Sequence, residues 1–369
     1  MEQVARRSGA KLLQLGLLAA QSFRAQWIFF VIPALFLATN WLWFLRLEKH
    51  GVAPIMALLL DLLQLALPVG FIVVVILRFA QYLLIEKPES PLALLLSEIK
   101  ELIVSPARII NALPVFFALA LFNKSLVELK PAIPAINPFS WDTALMEWDR
   151  LIHFGVDPWV LLQPLLGFDY VSFLLNMAYN LWFLALFGAW FWFGFRKDAN
   201  ELRTRFFLAY MLSWWIGGGL LAVVFSSAGP PYYGALGLSP DPYTGLFAYL
   251  HDVNSRVPLW VLQTQEMLWE GYTGQGRALG ISAFPSMHNA SAILFAVTLR
   301  RLSRTLGYVF FAYAFVILIG SVHLGWHYAL DGYAGILIGL ASWWIAGPIA
   351  RWFTELPVTR RYNANLASL

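Results

Sequence analysis

Residues 285–331 read PSMHNASAILFAVTLRRLSRTLGYVFFAYAFVILIGSVHLGWHYALD. A histidine stands near each end, His288 and His327, and a basic turn, Arg300-Arg301-Leu302-Ser303-Arg304, lies between them. Each half carries an apolar run of roughly the twenty residues a helix needs to cross hydrocarbon. The chain therefore crosses a membrane and returns, and both imidazoles reach the same surface. Two imidazoles, the carboxylate of Asp331 and a serine at a helix start suggest histidine-based phosphoryl transfer on a lipid.

Composition agrees. The 369 residues are 60% hydrophobic and 12% charged, more apolar surface than a soluble domain can hide. There is no cysteine, so disulfides, thiolate nucleophiles and Cys-ligated metals are excluded. A formal charge of +4 calls for no nucleic-acid partner, because the basic residues act as topology signals. No cleavable signal peptide is evident, since about twenty-five amphipathic residues precede the first apolar run.

Runs long enough to span predict eight helices, near 27–46, 54–85, 108–127, 169–194, 205–226, 286–302, 305–326 and 331–352. The second is overlong and holds Asp61, Gln64 and Pro68, so it reads as one tilted or kinked helix or as a half-helix plus a span, with Asp61 and Gln64 as interhelical glue or the lining of a lipid path. With the N-terminus inside, cytoplasmic segments carry 17 Lys and Arg and outer segments 7, with Arg78 left within a span. That is the expected positive-inside bias, and it places both termini in the cytoplasm. The fold class is an all-α integral membrane protein. Its predicted organisation is an amphipathic segment and two spans over 1–106, a six-helix catalytic core over 107–355, and a cytoplasmic tail over 356–369. Two long outer segments, 128–168 and 227–285, are rich in Pro, Gly and Trp, and the first reads as short helices along the interface.

At the outer face, the sixth span should begin at Pro285-Ser286, with its unpaired N–H groups and positive dipole end toward an incoming phosphate. Ser286 can add a hydroxyl donor. Asp331, four residues past His327, can fix its tautomer and free the other nitrogen to attack phosphorus. His288 would then protonate the departing oxygen and activate the acceptor.

Pro285-Ser286-Met287-His288 and Gly325-Trp326-His327-Tyr328 through Asp331 resemble the second and third signature motifs of the type-2 phosphatidic acid phosphatase superfamily. The resemblance implies a six-span core, a phosphorylated His327 supported by Asp331, His288 as general acid, and no cofactor. The longer string from Gly280 to His288 resembles the branch of fungal inositol phosphorylceramide synthases and their bacterial relatives, as do Gly229-Pro230-Pro231-Tyr232-Tyr233 and the stretch from Trp141-Asp142 to Asp149-Arg150. This chain departs from the superfamily where the third-motif arginine is replaced by Ser321. The first motif is replaced by Lys124-Ser125-Leu126-Val127-Glu128-Leu129-Lys130-Pro131. Lys124, Lys130 and Arg277 are the candidates to offset phosphate charge, with Lys124 and Arg277 ranked first.

Set against these, His50, His153 and His251 read as packing or interface residues. His323, His327 and Asp331 fall at i, i+4 and i+8 and could face a metal. A donor to the phosphate or to His327, or a wall residue, is the preferred reading of His323, and no metal is assigned. Asp142, Asp149 and Asp157 read equally as caps or as groups that orient an acceptor hydroxyl. Gly217-Gly218-Gly219 reads as a close-packing or hinge element. The expected partners are a phospholipid or polyprenyl phosphate donor and a lipid alcohol or water as acceptor. The expected location is a bacterial inner membrane with the site on the periplasmic face. A lipid-binding or transport protein using the histidines for proton coupling is the reading from another class.

Overall fold

Lipid offers backbone groups no hydrogen-bonding partner, so apolar spans satisfy them internally as helix. The structure, a computed structural model, describes residues 2–45, 47 and 62–368, and no strand occurs among them. In chain order come α1 (Glu2–Ala25), α2 (Trp27–Phe44), α3 (Gln64–Glu86), α4 (Pro91–Val104) and α5 (Pro106–Ile136). Then follow α6 (Asp142–Ile152), α7 (Pro158–Leu166), α8 (Asp169–Gly194), α9 (Glu201–Val224), α10 (Thr244–Asn254) and α11 (Trp260–Tyr272). The chain closes with α12 (Met287–Leu299), α13 (Arg304–His323), α14 (Ala329–Glu355) and α15 (Pro357–Ala367).

Seven of the described helices, α2, α3, α5, α8, α9, α13 and α14, are long and apolar enough to cross a membrane. The apolar windows of α5 and α9 are 61% and 67% buried and that of α3 only 11%, so α5 and α9 are central and α3 is peripheral. Asp61, His50 and the first part of the expected second span lie outside the described residues.

Two elements differ from the spans expected. The third span does not stop at 127: α5 continues through Pro131 and Pro134 to Ile136, held by buried Leu129 and Ile133. Proline removes single N–H donors, but packing against neighbours outweighs that loss. The sixth, α12, has 13 residues and is about 20 Å long, some 10 Å less than the hydrocarbon thickness. Nearly all its side chains are buried in protein, so lipid thickness does not set its length.

The N-terminal helix is bound into the bundle. The guanidinium of Arg203 is fully buried and donates to Gln26 Oε1 (2.7 Å), the Asn111 carbonyl (2.7 Å) and the Phe193 carbonyl (3.0 Å). Tyr362 on α15 donates to Asn111 Oδ1 (3.2 Å), which ties the α1–α2 junction, α5, α8, α9 and α15 together.

The site is positioned by α12 against α14. A Cβ on Gly335 would lie 2.2 Å from the Ser286 carbonyl oxygen, and one on Gly339 would lie 2.6 Å from that of Ala290. The Ser286 N–H donates to the Asp331 carbonyl (2.9 Å), so the two histidine motifs are joined by backbone. Gly335→Ala is expected to cost roughly 1–3 kcal/mol. Thermal melting should show that loss, and a product assay on the same variant should show turnover at least tenfold lower.

Candidate active site

The third motif is a tight return between two spans. After α13 the backbone turns at Gly325, at φ +68°, where a Cβ would meet the Phe247 ring at 2.7 Å. The N–H groups of Trp326 and His327 both donate to the Ser321 carbonyl, at 2.9 and 3.1 Å. His327 thus precedes α14 rather than lying on it. Asp331, in the first turn of α14, accepts from the Tyr328 N–H (3.2 Å) and lies 3.1 Å from His327 Nδ1 through the same oxygen. The pairing expected from one helical turn is achieved by helix-capping geometry.

A second carboxylate fixes the start of α14. Asp149, on α6, accepts from the N–H groups of Ala329 and Leu330, both at 2.9 Å. Asp142, one end of the same helix, accepts from the N–H groups of Ala228 (2.9 Å) and Gly229 (2.7 Å) and from the Tyr328 hydroxyl (2.8 Å). The neighbouring Ser227 accepts from Ala283 N–H through its carbonyl (2.9 Å) and from Phe284 N–H through its hydroxyl (3.1 Å). One amphipathic helix therefore anchors both histidine-bearing segments. Asp157 instead pairs with Arg150 (2.7 Å), and His153 bridges the Asp149 carbonyl (2.6 Å) and Tyr333 hydroxyl (2.9 Å).

His288, in the first turn of α12, has its ring stacked on Tyr179 (4.6 Å between centroids) and beside Trp182 (4.3 Å). Such packing fixes an imidazole plane without using its nitrogens. His288 and His327 line one cavity of about 350 Å³, together with Lys130, Tyr179, Trp214 and Trp326. Gly218, from the glycine triplet, lies in its wall, and α11 contributes Val261, Thr264, Met267 and Leu268.

Lys130 is the cation at this cavity. Burial, then Lys130, lowers the pKa of His327 from 6.5 to about 3, with a hydrogen bond to the Ala283 backbone acting the other way. The ring is neutral at physiological pH, the form that carries a nucleophilic lone pair.

Of the residues singled out from sequence, the structure brings His288 and His327 to the cavity and sets Asp331 behind His327. It does not bring the other four. Lys124 pairs with Glu128 at 2.5 Å one turn along α5, and Arg277 is exposed in the segment after α11. Ser286 is fully buried and its hydroxyl accepts from Asn289 Nδ2 (3.0 Å), because the motif backbone turns that side chain inward. His323, also fully buried, contacts the Ser172 hydroxyl through Nε2 (2.8 Å) and is absent from the wall. Lys130 rises to first among the cations because α5 runs on past 127. Among the described residues no group of three His, Asp or Glu side chains is placed to hold a metal ion.

Burial lifts the Asp149 carboxyl from 3.8 to about 6, against the two N–H bonds that pull it down. A folded pKa above the unfolded one makes ionisation costly to the folded state above about pH 6, and that cost fades as pH falls toward 4. Asp149→Asn is expected to flatten the resulting rise in melting temperature between pH 7.5 and 5. The same variant should lose about 1–3 kcal/mol of stability, because an amide has one acceptor oxygen for two N–H groups.

No curated protein and no solved structure matched the chain. The sequence profile of the PAP2 superfamily matches residues 143–345, from α6 into α14, which is more than half of the chain and holds His288, His327, Asp331 and Asp149 but not Lys130 or Asp142. With this match and helices built to span a membrane, the chain belongs to the PAP2 superfamily and is a membrane-embedded enzyme of the lipid phosphatase or phosphotransferase type.

Proposed function

We propose that this enzyme transfers a phosphate-bearing headgroup between lipids through a phosphohistidine, in the manner of an inositol phosphorylceramide synthase. The observation that carries the reading is the pairing of His327 with Asp331 at the edge of a cavity that also holds His288 and Lys130. With Nδ1 held by the carboxylate, Nε2 of His327 attacks phosphorus and forms a P–N bond. The P–O bond to the departing alcohol breaks, and His288 gives that oxygen its proton. In the second half the acceptor hydroxyl gives its proton to His288, its oxygen attacks phosphorus, and the P–N bond breaks. Lys130 offsets charge on the equatorial oxygens in both halves.

A lipid alcohol is the favoured acceptor because the wall is largely apolar and aromatic, and α11 contributes four of its residues. In this reading the catalytic core is residues 107–355 in a bacterial inner membrane, and the positive-inside bias supports a site on the extracytoplasmic face with both termini inside.

The test is mass spectrometry of products after purified protein is mixed with phosphatidylinositol or phosphatidic acid, with and without ceramide or diacylglycerol. The expected result is a new phospholipid formed only when the lipid alcohol is present. Release of inorganic phosphate from phosphatidic acid at a rate indifferent to that alcohol would make the enzyme a phosphatase instead.

A further inference from the structure

The opposite end of the bundle holds a second opening. Helix α9 contributes Trp214 and Gly218 to the catalytic cavity, and Arg205 lies thirteen residues earlier, about 20 Å away along the axis. Helix α12 likewise carries His288 at one end and leads into Arg300-Arg301 at the other. There a crevice of about 190 Å³ is lined by Glu201, Leu202, Arg205 and Arg301.

Arg205 is held flat. Its guanidinium carbon lies 3.8 Å from the centroid of the Trp343 ring, and Nε donates to the Trp343 carbonyl (3.1 Å). Gly347 makes the space, since a Cβ there would lie 2.8 Å from the same carbon. One face and one N–H are thereby engaged, and among the described residues the two Nη groups make no hydrogen bond or close salt bridge, their charged neighbours being Glu201, Arg301 and Arg351. The Arg301 side chain makes no such bond either. The carboxylate in the crevice, Glu201, lies 3.9 Å from Arg351 Nε. Two guanidinium forks facing one crevice repel each other, and a tetrahedral anion presents the oxygens that both forks fit. On the same helix as Trp343, α14, Trp344 and Trp352 are 70% and 54% exposed, the kind of aromatic surface that suits a membrane interface.

We propose that this crevice binds the phosphate group of an anionic phospholipid in the leaflet opposite the catalytic cavity. The proposal is independent of the reaction assigned to His327.

The full-length protein in a neutral detergent is titrated with short-chain phosphatidylglycerol, and separately with inorganic phosphate, while its melting temperature is followed. Wild-type protein is expected to gain stability with the lipid. Arg301→Ala, a change at an exposed side chain, is expected to raise the half-saturating concentration at least about fivefold, the loss of one charge-assisted contact. Arg205→Gln should act in the same direction, and Arg360→Ala, an exposed arginine elsewhere, should leave the titration unchanged. Both proteins keep the catalytic cavity, so their difference reports the crevice. A response to lipid and phosphate alike supports the site with the phosphate group sufficient, and a response to lipid alone supports it with the lipid as source. No response, or the same response in wild type and Arg301→Ala, overturns it.

Discussion

Replacing His327 with alanine is expected to reduce turnover at least about 10⁴-fold while leaving the melting temperature within a few degrees of wild type, because removal of a covalent nucleophile removes the reaction route itself. His288→Ala should cost less, roughly 10²–10⁴-fold, since a general acid lowers a barrier that can still be crossed without it. Brief exposure to a phosphorus-labelled donor followed by an alkaline quench should leave label on wild-type protein, and acid should remove it, as a P–N bond requires. His288→Ala should take up that label more slowly, since His288 serves both halves of the reaction, and His327→Ala should carry none. Label retained on His327→Ala, or turnover close to wild type, would sink the assignment of the nucleophile.

The second large effect is expected at Lys130. A developing phosphorane-like charge in a mostly apolar cavity has one ammonium beside it, and loss of one such electrostatic partner costs about 2.7–4 kcal/mol, or 10²–10³-fold in kcat/KM. Lys130→Met is expected to show that loss. Lys124→Met and Arg277→Met should stay within about threefold, because one side chain is committed to Glu128 and the other lies away from the cavity wall. A large loss at Lys124 with none at Lys130 would mean that the phosphate sits nearer the middle of α5.

What sequence could supply here was local chemistry. The placing of His288 and His327 at one cavity, with Asp331 beside His327, is readable because each motif is a short string whose spacing is decided by one turn of backbone, and because the apolar sequence between them runs out and back as the α12–α13 pair. The cation was harder. An apolar helix shows no end signal at Val127, and prolines at 131 and 134 argue for a stop that packing against Leu129 and Ile133 overrides. With the helix drawn too short, Lys124 looked like the residue at the mouth. The supporting carboxylates were legible as types but not as partners. Asp149 meets Ala329 and Asp142 meets Tyr328 across 180 and 186 positions, and no periodicity encodes such a meeting. Ser286 shows the reverse error, where a residue of suitable chemistry at a suitable position is turned inward by the motif backbone, off the cavity wall and onto the Asn289 amide. The short α12 was also unreadable, since hydropathy records how apolar a run is and not whether lipid or protein surrounds it.

The hydrogen bonds from the start of α14 to α6 have a consequence for biogenesis. Ribosomes deliver α6 early and the 327–331 turn late, so the carboxylates of Asp142 and Asp149 wait through the addition of seven further helices, α7 to α13, before Tyr328 and Ala329 reach them. A nascent polypeptide arrested between residues 288 and 327 holds only one of the two cavity histidines, so the proposed reaction cannot begin until the last turn before α14 is in place.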